Sequence, residues 1–358
     1  MSEKIRWGIL STGAIARQFA QGLASVPDAE LVAVGSRTQD AADRFGEMFR
    51  VPHRHPSYRA LAADPDVDVV YIGTPHSLHC ENTLMCLEAG KPVLCEKPFA
   101  INAAQAERMI AAARAKQLFL MEALWTRYLP AILELKRLLA AGTIGDIRMI
   151  EADFGFRPDY DPRGRLFNPD LGGGALLDIG IYPISLAYLL LGPPARMTSL
   201  AELGRTGVDE RSAVVFGYSG GELAVLSFSL TTDMPSEVLV LGTEGWIRIH
   251  GPIYRPEKLT ISLKKKLPLK PDRPPNFVKK IARTRVLAPF RSRILARDER
   301  PIPLPVMGNG YNYEAVEVMR CLRQGELESP SMTLDESLAI MRTMDGIRAQ
   351  WGLRYPGE

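Results

Sequence analysis

A strand-like run at residues 5–10 leads directly into Ser11-Thr12-Gly13-Ala14-Ile15-Ala16. The spacing is close to the phosphate-cradle fingerprint G-x-G-x-x-G/A, with Gly13 as the second glycine, Ala16 as the small third position and Ser11 where the first glycine is usual. A small residue at the strand end permits a sharp turn. Gly13 lets backbone approach a pyrophosphate, and the helix behind it offers N-terminal N–H groups and a dipole. With one glycine missing, the segment reads equally as a tight βα turn; its position in the first βα unit favours the cradle. At the end of the second apolar run, Ser36-Arg37-Thr38 places a guanidinium and two hydroxyls where an acidic residue would accept from a ribose 2′-hydroxyl. That chemistry suits a 2′-phosphate and favours NADP over NAD. The plainer alternative is a surface arginine at a strand terminus.

Thr74-Pro75-His76-Ser77-Leu78-His79 and Cys95-Glu96-Lys97-Pro98 each follow an apolar run. Both would fall at the carboxyl edge of a sheet, where open α/β folds bind ligands. Further on, Gly172-Gly173-Gly174 precedes Asp178 and Tyr182, four residues apart in an otherwise apolar segment. On a helix that spacing stacks them on one face. Each polar residue has a structural alternative: Lys97 in a strand-end salt bridge, Tyr182 in the core with a satisfied hydroxyl, Asp178 as a helix cap. His76 and His79 suit contact with a pyrophosphate or nicotinamide ribose better than acid–base work, although a histidine at a helix start is commonly structural. His53, His55 and His250 carry no readable role. No His/Asp/Glu grouping shows metal-ligand spacing, so no metal is expected.

The elements that must position these residues follow a simple rhythm. Residues 5–10, 31–35, 67–72, 92–95 and 118–121 are apolar on consecutive positions, as buried parallel strands are. Helical patterns lie between them at 14–23, 38–48, 79–88 and 102–116, the last opening with Asn102 and Gln105 in a capping-box arrangement. The pattern predicts a doubly wound parallel sheet, an α/β Rossmann domain over residues 1–124. Beyond Arg127 the rhythm changes to a helix at 130–141, a buried helix at 175–191 and alternating strands. That predicts an α+β domain over 125–332 with a large, mostly antiparallel open sheet. A C-terminal segment, 333–358, starts at Thr333-x-x-Glu336 and packs back on the body.

Several of these strings together resemble the glucose–fructose oxidoreductase / inositol dehydrogenase (Gfo/Idh/MocA) family over nearly the whole chain. They are Arg6-Trp7-Gly8-Ile9, Val93 to Pro98, Phe119 to Arg127, Gly172 to Tyr182 and Gly204 to Asp209. Within the family, the likeness is greatest to the dihydrodiol dehydrogenase / NADP-dependent D-xylose dehydrogenase branch. The resemblance implies that Lys97 is the catalytic lysine of the Glu-Lys-Pro motif and that Glu96 lies at the cofactor. It implies that Asp178 faces nicotinamide and substrate, and that the second domain's open sheet supports a homodimer. Tyr182 stands where many members have histidine. A phenol of ordinary pKa near ~10 needs help to act as a base, and Lys97 within a few ångströms would supply it. Trp125, Arg127 and Phe154 are expected as substrate-pocket walls, with simple interface packing as the alternative. The implied activity is NADP(H)-dependent hydride transfer to or from the carbinol/carbonyl of a sugar, cyclitol or trans-dihydrodiol. The alternative is a non-catalytic NADP-responsive regulator on the same fold.

Composition excludes little else. The chain has 358 residues, 46% hydrophobic and 24% charged, an ordinary globular balance. Four cysteines without CxxC spacing read as reduced thiols, and no leader or bilayer-length apolar run is expected, which together predict a cytoplasmic protein. The formal charge of +3 conceals a basic segment at 264–300, which holds 13 Lys and Arg against 3 Asp and Glu. That segment is read as an insertion, a solvated or dimer-flanking loop. An acidic protein surface, a membrane or a nucleic acid are the alternative partners.

Overall fold

In the computed structural model, residues 4–264 and 298–358 are described. The first half runs β1 (Ile5–Leu10), α1 (Ala14–Leu23), β2 (Ala29–Gly35), α2 (Gln39–Phe49), β3 (His53–His55) and α3 (Tyr58–Ala62). It continues with β4 (Val69–Ile72), α4 (His79–Glu88), β5 (Val93–Glu96), α5 (Ala103–Lys116) and β6 (Leu120–Ala123). All six strands are parallel, in the order β3-β2-β1-β4-β5-β6. β4, β5 and β6 are buried at every position, which is why their sequences are apolar throughout rather than alternating. The strand order reverses between β1 and β4, so the ligand crevice lies beyond Leu10 and Ile72.

Local chemistry sets the helix ends. The Asn102 side chain accepts from the Gln105 N–H at 2.9 Å, and Gln105 Oε1 accepts from the Ile101 N–H at 3.3 Å. Gln117 closes α5 with a left-handed φ of 53°, so β6 begins two residues later than the apolar run at 118–121 predicts. β3 is absent from the sequence reading, because three residues His-Arg-His have no apolar signature. Its pleat aims His53 and His55 together at Asp64. This corrects the expectation of no metal-ligand grouping: Asp64 arrives through the fold rather than through sequence spacing. All four cysteines are buried free thiols.

The second half comprises α6 (Pro130–Ala140), β7 (Ile147–Gly155), a π-helical turn (Leu176–Gly180) and α7 (Ile181–Leu191). β8 (Arg196–Leu203), β9 (Asp209–Gly217), β10 (Leu223–Ser229), β11 (Val238–Gly242), β12 (Gly245–Ile249), β13 (Lys258–Leu263) and β14 (Asp298–Pro303) follow. α8 (Tyr311–Gln324) and α9 (Leu334–Trp351) complete it. The eight strands form one sheet ordered β14-β13-β12-β11-β7-β10-β9-β8, antiparallel except where β10 meets β7. α7 fills the buried side of this sheet. The segment Pro169–Leu191 is long and apolar enough to cross a membrane, its most apolar 18 residues having a mean hydropathy of 1.7, yet 83% of that window is buried inside the protein. A count of consecutive apolar residues misses it because Asp178 interrupts the run. Leu263 and Asp298 are register partners, and most of the basic segment 264–300 lies outside the described residues.

α9 ties the two halves together. Thr333 caps it by accepting from the Glu336 N–H at 3.2 Å, and Asp345 accepts from the Ala103 N–H at 2.8 Å at the start of α5.

Candidate active site

The cradle occupies the turn from β1 to α1. Gly13 is the N-cap of α1 and has no capping side chain; its own N–H is taken by Ser11 Oγ, the N–H groups of the first turn meet no side chain among the described residues, and that turn carries no acid. Its N–H groups and dipole are therefore open to an anion, which is the condition for holding a pyrophosphate. Ser11 has φ 125°, a conformation that favours glycine. The position thus has the glycine geometry of the fingerprint while carrying a serine, whose Oγ accepts from the Gly13 N–H at 3.2 Å. Such backbone strain costs on the order of 1–3 kcal/mol. Ser11→Gly is accordingly expected to stabilise the protein by about 1 kcal/mol after loss of the Oγ bond. Urea unfolding reads this directly, and an unchanged or lower midpoint would count against it.

Thr12 Oγ1 lies 3.4 Å from Ser36 Oγ, linking the cradle to the end of β2. Arg37 is exposed and makes no ion pair or hydrogen bond with another described residue. Tyr58 lies within its electrostatic reach: burial raises that phenol's pKa and Arg37 lowers it. Thr38 is engaged as the cap of α2, its Oγ1 accepting from the Ala41 N–H. A cleft of about 160 Å³ between α1 and α2 is lined by Thr12, Arg17, Ala41 and Arg44. This arrangement fits a dinucleotide with extra negative charge at its adenosine end.

On the other side of the crevice, Lys97 ends β5 and meets the π-helical turn. Its Nζ donates to the Asp178 carbonyl at 2.7 Å and to Asp178 Oδ1 at 3.2 Å. Arg165 Nη1 donates to the same Oδ1 at 2.7 Å, and His76 Nε2 stands 3.9 Å from it. Burial by itself would raise the Asp178 carboxyl, but Lys97 and Arg165 outweigh it and hold the group well below the usual carboxylate range. Burial likewise drags at the Lys97 ammonium, and the acidic groups around it, Asp178 foremost, together more than offset this, so Lys97 stays charged. His76 is held neutral by burial, at about 3, with Nδ1 2.9 Å from the Gly172 carbonyl.

Why the backbone takes a π turn here is visible in its anchors. The Leu176 N–H donates to Asp209 Oδ2 at 2.7 Å, and Gly174 has φ 116° with no room for a Cβ beside Asp209 Oδ1. π turns interrupt regular helices mostly at functional sites. Asp178 is thereby presented to Lys97 and Arg165, while Tyr182 follows on α7.

Tyr182 is surrounded by rings. Phe154 meets it edge-on at 5.7 Å, Tyr254 lies at 6.2 Å, and Lys97 Nζ sits 5.0 Å from its ring centroid. Trp125 Nε1 donates to its hydroxyl at 3.2 Å, and Trp125 in turn stacks on Tyr311 at 4.4 Å. Burial raises the phenol above its ordinary pKa, with Lys97 only partly opposing. Lys97 is thus within a few ångströms of Tyr182, as expected, and its charge favours the phenolate through space, but its hydrogen bonds go to Asp178 and burial outweighs its effect.

Three other expectations change with the geometry. Arg127 does not wall the pocket; it is 4% exposed, and its guanidinium binds Ser185, the Ser331 carbonyl and Glu336 beneath the site. His79 is fully buried between the Pro98 and Thr74 carbonyls, and burial keeps it neutral at about 4, so it supports the loops rather than touching a cofactor. Glu96 has both oxygens engaged, by the Tyr71 hydroxyl at 2.6 Å and the Lys97 N–H at 3.1 Å, and lies under the site. Thr74 and Pro75 follow β4 at the crevice, where Thr74 Oγ1 accepts from Asn82. Ala14 and Ile15 form the first turn of α1. Arg165, Tyr254 and Tyr311 escaped the sequence reading. None of the three belongs to a motif, although Arg165 closes a stretch rich in Pro, Asp and Arg at 157–165.

Comparisons with known proteins identify the family. A family model described as an oxidoreductase family with an NAD-binding Rossmann fold matches residues 5–124, and its C-terminal domain model matches 132–248. Mouse trans-1,2-dihydrobenzene-1,2-diol dehydrogenase is 35% identical over 366 residues, covering 99% of each chain. The human enzyme of that name is 36% identical, again over 99% of each chain. Among solved structures, a 3-ketoreductase from Actinomadura kijaniata in complex with NADP and TDP-benzene superposes with a TM-score of 0.80 at 27% identity. That match covers 97% of this chain and 98% of the other. An aldose–aldose oxidoreductase from Caulobacter crescentus gives 0.81 at 26% identity, over 97% of each chain. With both domains matched and full-length relatives above one-third identity, the chain belongs to the Gfo/Idh/MocA family of NAD(P)-binding oxidoreductases.

Proposed function

We propose that the protein is an NADP(H)-dependent dehydrogenase/reductase acting on the carbinol/carbonyl of a sugar, cyclitol or trans-dihydrodiol. The observation that carries this reading is the meeting of Lys97 with Asp178 and with the face of Tyr182, among the rings of Trp125, Phe154 and Tyr254. Ser11, Thr12, Gly13, Ala14 and Ile15 would hold the pyrophosphate, Ser36, Arg37 and Thr38 the 2′-phosphate end. When bound, the cofactor supplies or accepts the hydride.

The chain's own residues handle the proton. An indole N–H only donates, so the Tyr182 oxygen is the acceptor from Trp125 and its own hydrogen is free to point at a substrate oxygen. With its pKa raised, Tyr182 is a neutral phenol across neutral pH and suits the role of proton donor to a carbonyl becoming an alcohol. In the reverse direction the same oxygen takes the carbinol proton. Lys97 keeps a positive charge beside the reacting oxygen, and Asp178 fixes that charge in place. Trp125, Phe154 and Tyr254 provide an apolar wall suited to the faces of a ring substrate. Dihydrodiol dehydrogenase relatives and an NADP-bound ketoreductase neighbour support both the substrate class and the cofactor. A turnover screen of purified protein with NADPH and NADP⁺ over sugars, keto-sugars and dihydrodiols tests the reading. Binding of NADPH without turnover of any of them would favour a regulatory protein instead.

For cofactor choice, Arg37→Ala is expected to raise KM for NADPH by about 10–100-fold, the worth of one or two charge-assisted bonds. KM for NADH should change little. Equal losses with both cofactors would remove Arg37 from 2′-phosphate recognition.

We also propose a homodimer formed through the outer face of the eight-stranded sheet. Its strands alternate, and the side away from α7 carries Leu200 (81% exposed), Leu223 (36% exposed), Val225, Leu239 and Trp246 interspersed with Glu151, Arg211 and Arg248, the mix of apolar and charged groups found on partner surfaces. Sedimentation velocity should show a dimer that Val225→Arg/Leu239→Arg converts to monomer; a wild-type monomer at micromolar concentration would overturn this.

A further inference from the structure

On the edge of the parallel sheet, next to the end of β2, β3 carries His53 and His55. Residues two apart on a strand share a face, and Arg54 between them turns the other way, donating to the Val51 carbonyl. Register pairing with Ala33 and Gly35 of β2 fixes both histidines in place. Opposite them, the connection between α3 and β4 presents Asp64, whose side chain is 3% exposed. His53 Nδ1 lies 2.7 Å from Asp64 Oδ2, and His55 Nε2 lies 2.8 Å from the same oxygen. The three ligand atoms all fall within 4.8 Å of one another.

We propose that His53, His55 and Asp64 form a divalent transition-metal site, with Zn²⁺ as the matching ion. Two imidazoles and one carboxylate are a donor set for zinc; calcium and magnesium require mostly oxygen ligands. Zinc bonds of roughly 2.0–2.1 Å at tetrahedral angles separate ligand atoms by about 3.3 Å. The two imidazoles therefore need to withdraw from Asp64 Oδ2 by about half an ångström, within the reach of small side-chain rotations.

The surroundings are arranged as a ligand shell requires. Asp64 Oδ1 is occupied by the Asp66 N–H at 2.9 Å, so Oδ2, which faces both imidazoles, is the oxygen offered to an ion. Lys91 Nζ fixes the loop through the carbonyls of Asp64 and Val67, both at 2.7 Å. Asp66 Oδ2 stands 3.9 Å from His53 Nε2, the ring nitrogen that would face away from the ion, as an orienting carboxylate does. The His53 side chain is 37% exposed, so solvent can fill the fourth position. The other three histidines are committed elsewhere: His76 and His79 to backbone carbonyls, His250 to Thr260 and Glu237. The ion would clip the short edge strand to the α3–β4 connection, a local brace independent of hydride chemistry.

Equilibrium dialysis of the full chain against micromolar zinc chloride, followed by metal analysis, tests the site. Wild type is expected to retain one zinc per chain and to melt several degrees higher with zinc than without it. The His53→Gln/His55→Gln double variant should retain none and lose the zinc-dependent shift. His53→Gln alone, at a half-exposed position that the fold tolerates, should weaken retention by at least about tenfold. Failure of wild type to retain zinc, or equal retention by wild type and the double variant, would overturn the proposal. Calcium chloride in place of zinc should give no shift, and a shift of equal size would mean a generic cation effect and likewise reject it.

Discussion

Replacing Tyr182 by phenylalanine is expected to lower kcat for carbonyl reduction by about 10²–10⁴-fold, the usual worth of a positioned proton donor. The ring remains, so its contacts with Phe154, Tyr254 and Lys97 persist. Loss of the hydroxyl leaves Trp125 Nε1 without its acceptor, at a cost of about 1–3 kcal/mol in stability. KM should change far less than kcat, because the hydroxyl's contribution grows as the substrate oxygen gains charge. The pH dependence supplies a second check. Burial raises the phenol above its ordinary value near ~10, and the donor is active while protonated. Reduction by the wild type should therefore stay flat through neutral pH and fall only in the alkaline range above that value. The variant should lack that limb. Steady-state rates across pH, with melting temperature as the control, decide the matter. A variant as fast as the parent removes Tyr182 from the chemistry.

The sequence pattern made the first domain legible because a doubly wound sheet leaves the same trace at every strand: a short apolar run followed by an amphipathic helix. The cradle was readable for a related reason. Its chemistry rests on backbone, and the glycine geometry at residue 11 persists even with serine there. β3 was invisible because an edge strand of three polar residues buries no apolar run, and with it went the meeting of His53, His55 and Asp64. In the active site, Lys97, Asp178 and Tyr182 could be named from their motifs, but their bonding could not. Lys97 faces two partners of unequal reach, and only the π turn, set by Asp209, decides that Asp178 receives the ammonium while Tyr182 receives the indole. Arg127 misled for a similar reason. A guanidinium near a catalytic helix suggests substrate, yet Glu336, 209 residues away in sequence, draws it under the floor of the site. Tyr254 and Tyr311 come from loops and a helix with no motif of their own, so tertiary structure alone brings them in.

Lys97→Met is expected to cause a loss of activity comparable with that of Tyr182→Phe, for a different reason. The methionine keeps most of the length and packing but removes the one cation among the described residues that bonds both the carbonyl and carboxylate of Asp178. What remains for that buried carboxylate is Arg165, 57% exposed, and His76, which burial keeps neutral. Breaking a buried pair from one side typically costs about 3–5 kcal/mol. Low activity in Lys97→Met is then open to explanation by damage alone, and Asp178→Asn separates the two causes. In that variant the carbonyl of residue 178 still accepts from Lys97, so the lysine stays in place, while the main upward influence on its pKa is gone. Burial then dominates and the ammonium loses its proton at lower pH than in the wild type. If positive charge at Lys97 supports the reaction, the lysine works in its protonated form. The Asp178→Asn enzyme should then retain activity at acidic pH and lose it at a pH where the wild type is still flat. A structural role for Lys97 gives another result: both variants would show the wild-type pH profile, lowered uniformly. Parallel pH–rate profiles of the three proteins, each at saturating substrate and cofactor, distinguish these outcomes, and parallel uniform loss would reduce Lys97 to a positioning residue.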